Sequence, residues 1–339
     1  MSDILLQQKT DDGILILTLN RPDAMNCFNF DLLAVLADVI REANFDLSLR
    51  CIIITGSKAG DDPKKWSFST GADLKERRTL TQDQVRRFIF TIRNTFTAVE
   101  NVRVPVIAAI NGFAFGGGTE LALACDIRIC SSNVLMGLTE TSLAIIPGAG
   151  GTQRMTRVVG VAKAKELIYT ARRFDAKTAL EIGLVSKVVE PDKLMDAALE
   201  LAREIAKNGP VGVAQAKFAI NYGSEASLGV ALPLESKAYE VTIPTKDRLE
   251  ALAEDRIHDV QGRRDARAQQ AGVRFARKFV LIVPFGMALA GMSVGNGQSA
   301  YREPMAQAIV GAAILLVVAC WVWAGRIMHI PEEERVFAA

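Results

Sequence analysis

Two glutamates, Glu120 and Glu140, each stand beside a glycine-rich run, the first in Gly116-Gly117-Gly118-Thr119-Glu120 and the second ahead of Ile146-Pro147-Gly148-Ala149-Gly150-Gly151. Glycines let backbone N–H groups approach a ligand closely, and a carboxyl group held in apolar surroundings can have its pKa raised until it trades protons near neutral pH. Taken singly, a triple glycine is a flexible turn and a glutamate is a surface residue. As an ordered pair they imply a carbonyl substrate handled by acid–base chemistry.

Other chemistries are excluded by what the chain lacks. Its histidines are His258 and His329, so the first 257 residues offer no imidazole as a general base or metal ligand. That argues against a histidine-based hydrolase triad and against a histidine-bound metal, and no metal site is expected. The five cysteines, Cys27, Cys51, Cys125, Cys130 and Cys320, are scattered without the close pairing of a zinc site or redox couple, and fit a reducing compartment. A net charge of +2 gives no general reason to expect a polyanionic partner.

The elements that must position the glutamates can be read from periodicity. Ile4 to Lys9 and Gly13 to Asn20 predict a hairpin about Asp11-Asp12-Gly13. Helices are expected over Asp31 to Asn44 and Thr81 to Val99, where apolar residues recur at helical spacing, and strands over Cys51 to Thr55, Val104 to Ile110 and Ile127 to Cys130. Gly117 to Cys125 reads as a helix despite its glycines. From Gly151 to Leu252 the pattern is mostly helical, with apolar faces in Ala162 to Tyr169, Leu194 to Ala206 and Val211 to Ile220. A mixed α/β fold follows, with strand–turn–helix alternation but no fixed repeat.

Three blocks then carry a resemblance: Ser69-Thr70-Gly71-Ala72-Asp73-Leu74-Lys75-Glu76, Ala108 through Gly116-Gly117-Gly118-Thr119-Glu120 to Asp126, and Glu140 through Pro147-Gly148-Ala149-Gly150-Gly151-Thr152-Gln153-Arg154. In this order they resemble the enoyl-CoA hydratases of the crotonase superfamily, over residues 1 to about 253. The resemblance implies a ββα spiral core (1–195), a helical trimerisation region (196–253), and a homotrimer or hexamer. It implies a thioester oxygen held by the backbone N–H groups of Thr70 and Gly117. Glu120 would activate water, and Glu140 would deliver a proton beside the carbonyl. Ala24, Met25, Ala72, Asp73, Leu74, Lys75, Pro147 and Gly148 would border the acyl-CoA, whose coenzyme A belongs to the substrate, so no separate cofactor is expected.

Both carboxylates together favour hydration of a 2-enoyl-CoA, including a methylglutaconyl type, over double-bond isomerisation. An inactive membrane-tethered scaffold is the non-enzyme alternative. Thr119 and Thr70 stand where smaller or different residues are usual, but neither removes a backbone donor. A branch of the superfamily binds RNA through a basic helix; Arg86, Arg87 and Arg93 here read instead as a solvated face.

After Ala253 the likeness stops. Residues 254–278 form an arginine-rich linker, followed by two apolar stretches, Phe279 to Val294 and Met305 to Gly325. The second is about 21 residues long, near the ~20 that span a bilayer. Residues 279–339 therefore predict a transmembrane hairpin and short tail, with both ends on the cytoplasmic side. The tail faintly resembles the membrane end of bacterial secretion-system F proteins through Ser299 to Pro304 and Pro331 to Phe337. Since Met1 to Thr10 mixes polar and charged residues, no cleavable signal is read there. The catalytic body is expected in the cytoplasm, attached to membrane if 279–327 inserts.

Overall fold

The computed structural model describes residues 4–253, 261 and 302–327, not every side chain being described in the last segment. Within the first compact unit, Met1–Leu249, the expected hairpin forms from β1 (Leu5–Lys9) and β2 (Ile14–Leu19), antiparallel with Leu5 opposite Leu19. α1 follows (Phe30–Ala43), its first turn capped by Asn29 accepting the Leu32 N–H. β3 (Cys51–Gly56) then runs parallel to β2.

From here the strands alternate between two sheets. β3, β5 (Val106–Ile110) and β7 (Ile127–Ser131) lie side by side in a six-stranded sheet of order β1-β2-β3-β5-β7-β10. Their successors β4 (Ser67–Ser69), β6 (Phe113–Phe115) and β8 (Leu135–Gly137) form a four-stranded sheet with β9 (Phe174–Asp175). The helices α2 (Leu74–Arg77) and α3 (Gln82–Asn101) follow the first strand pair, and α4 (Gly117–Ala124) follows the second. This is the expected ββα spiral. α3 begins at a capping box in which Thr81 and Gln84 satisfy each other's backbone N–H groups.

Parallel strands buried on both faces read as continuous apolar runs, and β3 shows why. Ile52 and Ile54 enter the main core with Leu17, Leu36, Phe68, Phe96 and Val106, while Cys51 and Ile53 enter a second core on the opposite face. That second core is closed by α8 (Leu194–Ala206) through Leu194, Ala197, Ala198 and Ala202. α8 thus belongs to the sheet, which corrects the boundary placed at 196. The stretch after Gly151 also holds two strands that the helical reading omitted, β9 and β10 (Lys187–Val189), the latter parallel to β7. At two and three residues they are too short to show a period of two.

α5 (Gly151–Val159) and α6 (Val161–Tyr169) lie before β9, and α7 (Ala176–Glu181) after it. α9 (Pro210–Gly223) is tied to the sheet by Lys217, whose Nζ donates to Asp126 Oδ2 (2.7 Å) and to the Val104 carbonyl (3.0 Å). α10 (Leu228–Thr242) follows, and residues 246–253 are helical.

In the second unit the described residues do not show the expected hairpin. Its first stretch, Phe279 to Val294, lies outside the described residues, as does the linker apart from 261. Its second stretch falls within one helix, Pro304–Ile327. Among the described residues, no helix is long and apolar enough to cross a membrane.

Burial raises the Asp126 pKa even against the pull of Lys217, the Val106 amide and the charge of Arg128, as expected of a carboxylate whose desolvation its partners do not fully offset. Lys217→Met strands that carboxylate, and is expected to cost about 3 kcal/mol, read as a lower urea midpoint at unchanged slope. An unchanged midpoint would show that the pair does not anchor α9.

Candidate active site

Glu120 lies one turn into α4, and α4 is held unusually close to the four-stranded sheet. A Cβ on Gly118 would sit 1.9 Å from the Ser69 carbonyl oxygen, so only glycine allows the approach. The neighbouring Thr119 is fully buried, its hydroxyl donating to the Ala114 carbonyl (2.6 Å) on β6 and lying 3.2 Å from that of Gly137 on β8. The unusual threonine before the glutamate is therefore a pin between helix and sheet.

The packing leaves Glu120 only 3 % exposed. Its Oε1 accepts two backbone N–H groups, from Ala149 and Gly151, each at 2.8 Å. Burial raises its pKa, opposed by those two amides and by the positive charge of Arg154. A Cβ on Gly151 would come within 2.9 Å of this carboxylate and of Pro147, so the loop fits tightly around it.

Glu140 opens the 3₁₀ turn Glu140–Leu143, directly after β8. Its carboxyl lies against the Cα of Gly116, where a Cβ would stand 3.1 Å from Oε1. Gly116 in turn accepts the Glu120 N–H (2.9 Å), so the two acids share one short stretch of backbone. Burial first, and then the negative charge of Glu120, push the Glu140 pKa up to about 7. Its Oε2 is buried without a hydrogen-bond partner among the described residues. Two such carboxyls cannot both ionise cheaply. Glu120 has two N–H donors and a nearby cation, and Glu140 lacks comparable support, so the proton rests on Glu140.

The backbone donors differ from expectation at one position. Gly117 begins α4, where N–H groups have no partner within the helix. The Thr70 N–H, by contrast, donates to the Met25 carbonyl (3.2 Å), and the Gly71 N–H to Ser69 Oγ (3.2 Å). Thr70 is therefore corrected as a free donor. Next along, Phe28 bridges to both sides of Ala72, donating to the Gly71 carbonyl (2.8 Å) and accepting from Asp73 (2.8 Å). In that extended geometry the Ala72 N–H points to the other edge, and it has no partner among the described residues. Gly71, at φ +94°, packs against Gly117 with a Cβ position 3.0 Å from the Gly117 nitrogen, which brings the Ala72 and Gly117 amides to one place.

The remaining expected residues divide into two groups. Ala24 and Met25, at the end of the 3₁₀ turn Pro22–Ala24, are brought beside Ala72 by the Met25–Thr70 bond. Buried Asn26 fixes that turn, accepting from Arg21 N (2.9 Å) and donating to the Ser67 carbonyl (2.7 Å). Leu74 and Lys75 are exposed on α2. Asp73 is already engaged: it caps α2 and pairs with Arg21 at 2.9 Å. Burial opposes its ionisation, but Arg21 and the Glu76 and Lys75 amides outweigh it and hold the carboxyl below its ordinary range. Pro147 is buried and Gly148 packs on Ile89 of α3, so both shape the loop around Glu120. Reading the sequence missed the engagement of Asp73 and the reach of Arg154 behind that loop, although the latter stands in a quoted block.

Comparison with known proteins identifies the family. The enoyl-CoA hydratase/isomerase family matches residues 9–257. The Bacillus subtilis protein YngF, named for the same hydratase/isomerase activities, is 51% identical over 252 residues, covering 74% of this chain and 95% of its own. The human mitochondrial methylglutaconyl-CoA hydratase is 45% identical over 249 residues, 72% of each chain. A crystal structure of enoyl-CoA hydratase from Bacillus anthracis superposes with a TM-score of 0.72 at 46% identity, over 76% of this chain and 97% of that one. The family match ends at residue 257, so the faint likeness of the tail to secretion proteins gains no support from it. The chain belongs to the enoyl-CoA hydratase/isomerase family and is an enzyme of its hydratase kind.

Proposed function

We propose that this enzyme adds water across the 2,3 double bond of a 2-enoyl-CoA, with Glu120 as base and Glu140 as acid. The observation that carries the reading is the asymmetry of the two buried carboxyls: Glu120 accepts the Ala149 and Gly151 amides, which favour its anion, whereas Glu140 Oε2 has no partner among the described residues and its pKa is pushed up to about 7. Glu120 takes a proton from water as its oxygen bonds to C3. The π electrons move onto the thioester oxygen, where the Ala72 and Gly117 N–H groups stabilise the developing charge. Glu140 then protonates C2. The product carries H and OH, and one proton passed back from Glu120 to Glu140 restores the site.

An isomerase has no need of a second carboxyl to activate water, so the intact pair favours hydration. The kinship to a methylglutaconyl-CoA hydratase supports a short, branched acyl group as the first substrate to test. Assembly into trimers is supported by the apolar residues that α9 and α10 leave exposed, among them Ile220, Leu228, Val230 and Tyr239.

Loss of absorbance of a 2-enoyl-CoA should reveal turnover that falls by roughly 10²–10⁴-fold in Glu120→Gln and in Glu140→Gln. Full activity in either folded variant would refute the assigned pair. Because hydration needs Glu140 protonated, kcat should fall as pH rises through about 7. The same group makes a separate prediction for stability. Its pKa is raised in the folded chain from an ordinary 4.5 to about 7, so its ionisation opposes folding. That cost is absent below 4.5, grows as pH rises, and is complete above about 7. Glu140→Gln should therefore melt higher than the parent at pH 8, by roughly 2–4 °C for each kcal/mol relieved, and should show no gain near pH 4. An equal difference at both pH values would contradict the burial argument. Sedimentation of the full chain tests assembly: a monomer at micromolar concentration would exclude the trimer.

A further inference from the structure

We propose that Arg154 is a positioning residue that sets the charge state and orientation of Glu120 by gripping the turn whose amides hold it. This rests on the reading of Glu120 as the base. Arg154 lies in the first turns of α5, and its side chain is only 12 % exposed. Its guanidinium donates through Nη1 to the Ala149 carbonyl (2.9 Å). The N–H of that same residue, and the N–H of Gly151 two residues on, are the two donors to Glu120 Oε1. That carbonyl belongs to the Ala149–Gly150 peptide, which lies between the two peptides carrying the donor N–H groups, so the grip restrains the turn that aims both.

The guanidinium is itself held from behind. Nε and Nη2 form a two-pronged pair with Glu100 on α3, at 3.1 and 2.6 Å, and Nη2 also lies 3.3 Å from Thr97 Oγ1. Glu100 is steadied in turn by Asn221 of α9, which donates to its backbone carbonyl (3.1 Å). The planar fork lies so close to the loop that a Cβ on Gly150, at φ +107°, would fall 2.1 Å from Nη1. A lysine ammonium cannot make the carbonyl bond and the two-pronged pair together. The charged groups acting on Glu120 among the described residues are Glu140, from the turn after β8, and Arg154, from α5, with Glu100 on α3 behind the latter. Loss of Arg154 removes positive charge and loosens both amide donors, and each change disfavours the Glu120 anion.

The test is the pH dependence of kcat and KM for Arg154→Gln, Arg154→Lys, Glu100→Gln and Glu120→Gln in the full chain, with thermal melting of each. Arg154→Gln should lower kcat on the order of 10²-fold with KM little changed, and should move the acid limb of the kcat profile to higher pH. Arg154→Lys keeps the charge and loses the fork, so kcat should fall while the limb moves less. Glu100→Gln weakens the anchor and should lower kcat with a smaller shift still. A folded Arg154→Gln with the parent kcat and acid limb overturns the proposal, as does a kcat loss matched by lost folded protein with an unmoved limb. If Arg154→Gln does not fold, an unmoved kcat in both Arg154→Lys and Glu100→Gln overturns it equally. Full turnover in Glu120→Gln would instead sink the underlying assignment of the base, which distinguishes the two failures.

Discussion

The site depends on one constraint: a carboxyl group that almost no water reaches must find its hydrogen-bond partners within the fold. Glu120 meets that constraint through the paired amides of Ala149 and Gly151, aimed at a single oxygen. Burial alone would protonate it, and the charge of Arg154 alone could not orient it. Much of the surrounding architecture follows from this. α4 must lie against the four-stranded sheet, the loop after Pro147 must turn tightly, and α3 must supply a counter-charge behind that loop.

The same burial gives Glu140 the opposite character. It sits close to the Glu120 anion with one oxygen unpartnered among the described residues, so it holds a proton to near neutrality. Two identical side chains thus acquire different character from what their carboxyls touch. Close by, Gly71 packs directly on the first residue of α4, Gly117. Gly71 and Gly118 must be glycine because a Cβ at either would meet main-chain atoms, Phe115 O and Gly117 N for the first and Ser69 O for the second.

The coupling between layers also explains why parts far from the chemistry matter. Lys217 ties α9 to the sheet, and Asn221 of the same helix donates to the Glu100 carbonyl, so α9 reaches the loop around Glu120 through α3 and Arg154. Of the two helices that leave apolar residues exposed, α9 is committed to the core by Lys217 and Asn221.

The sequence by itself determined the longer elements and the identity of the two acids. α1, α3 and α8 are legible because their apolar residues repeat over several turns, and Glu120 and Glu140 stand out through the glycine-rich blocks beside them. It could not reveal β6, β9 or β10, which are too short for any period and exist only because neighbouring strands offer them partners. Nor could it decide which main-chain amides are free. Thr70 and Ala72 are two residues apart in one motif, and only the pairing of Met25 with Thr70 and of Phe28 around Ala72 shows which N–H is engaged. Likewise the two glutamates are chemically identical in one dimension. Hydrogen bonds from Ala149 and Gly151 and the charge of Arg154, brought together by folding, decide which one carries the proton, because ionisation in a buried site is set by local donors and charges and not by residue type.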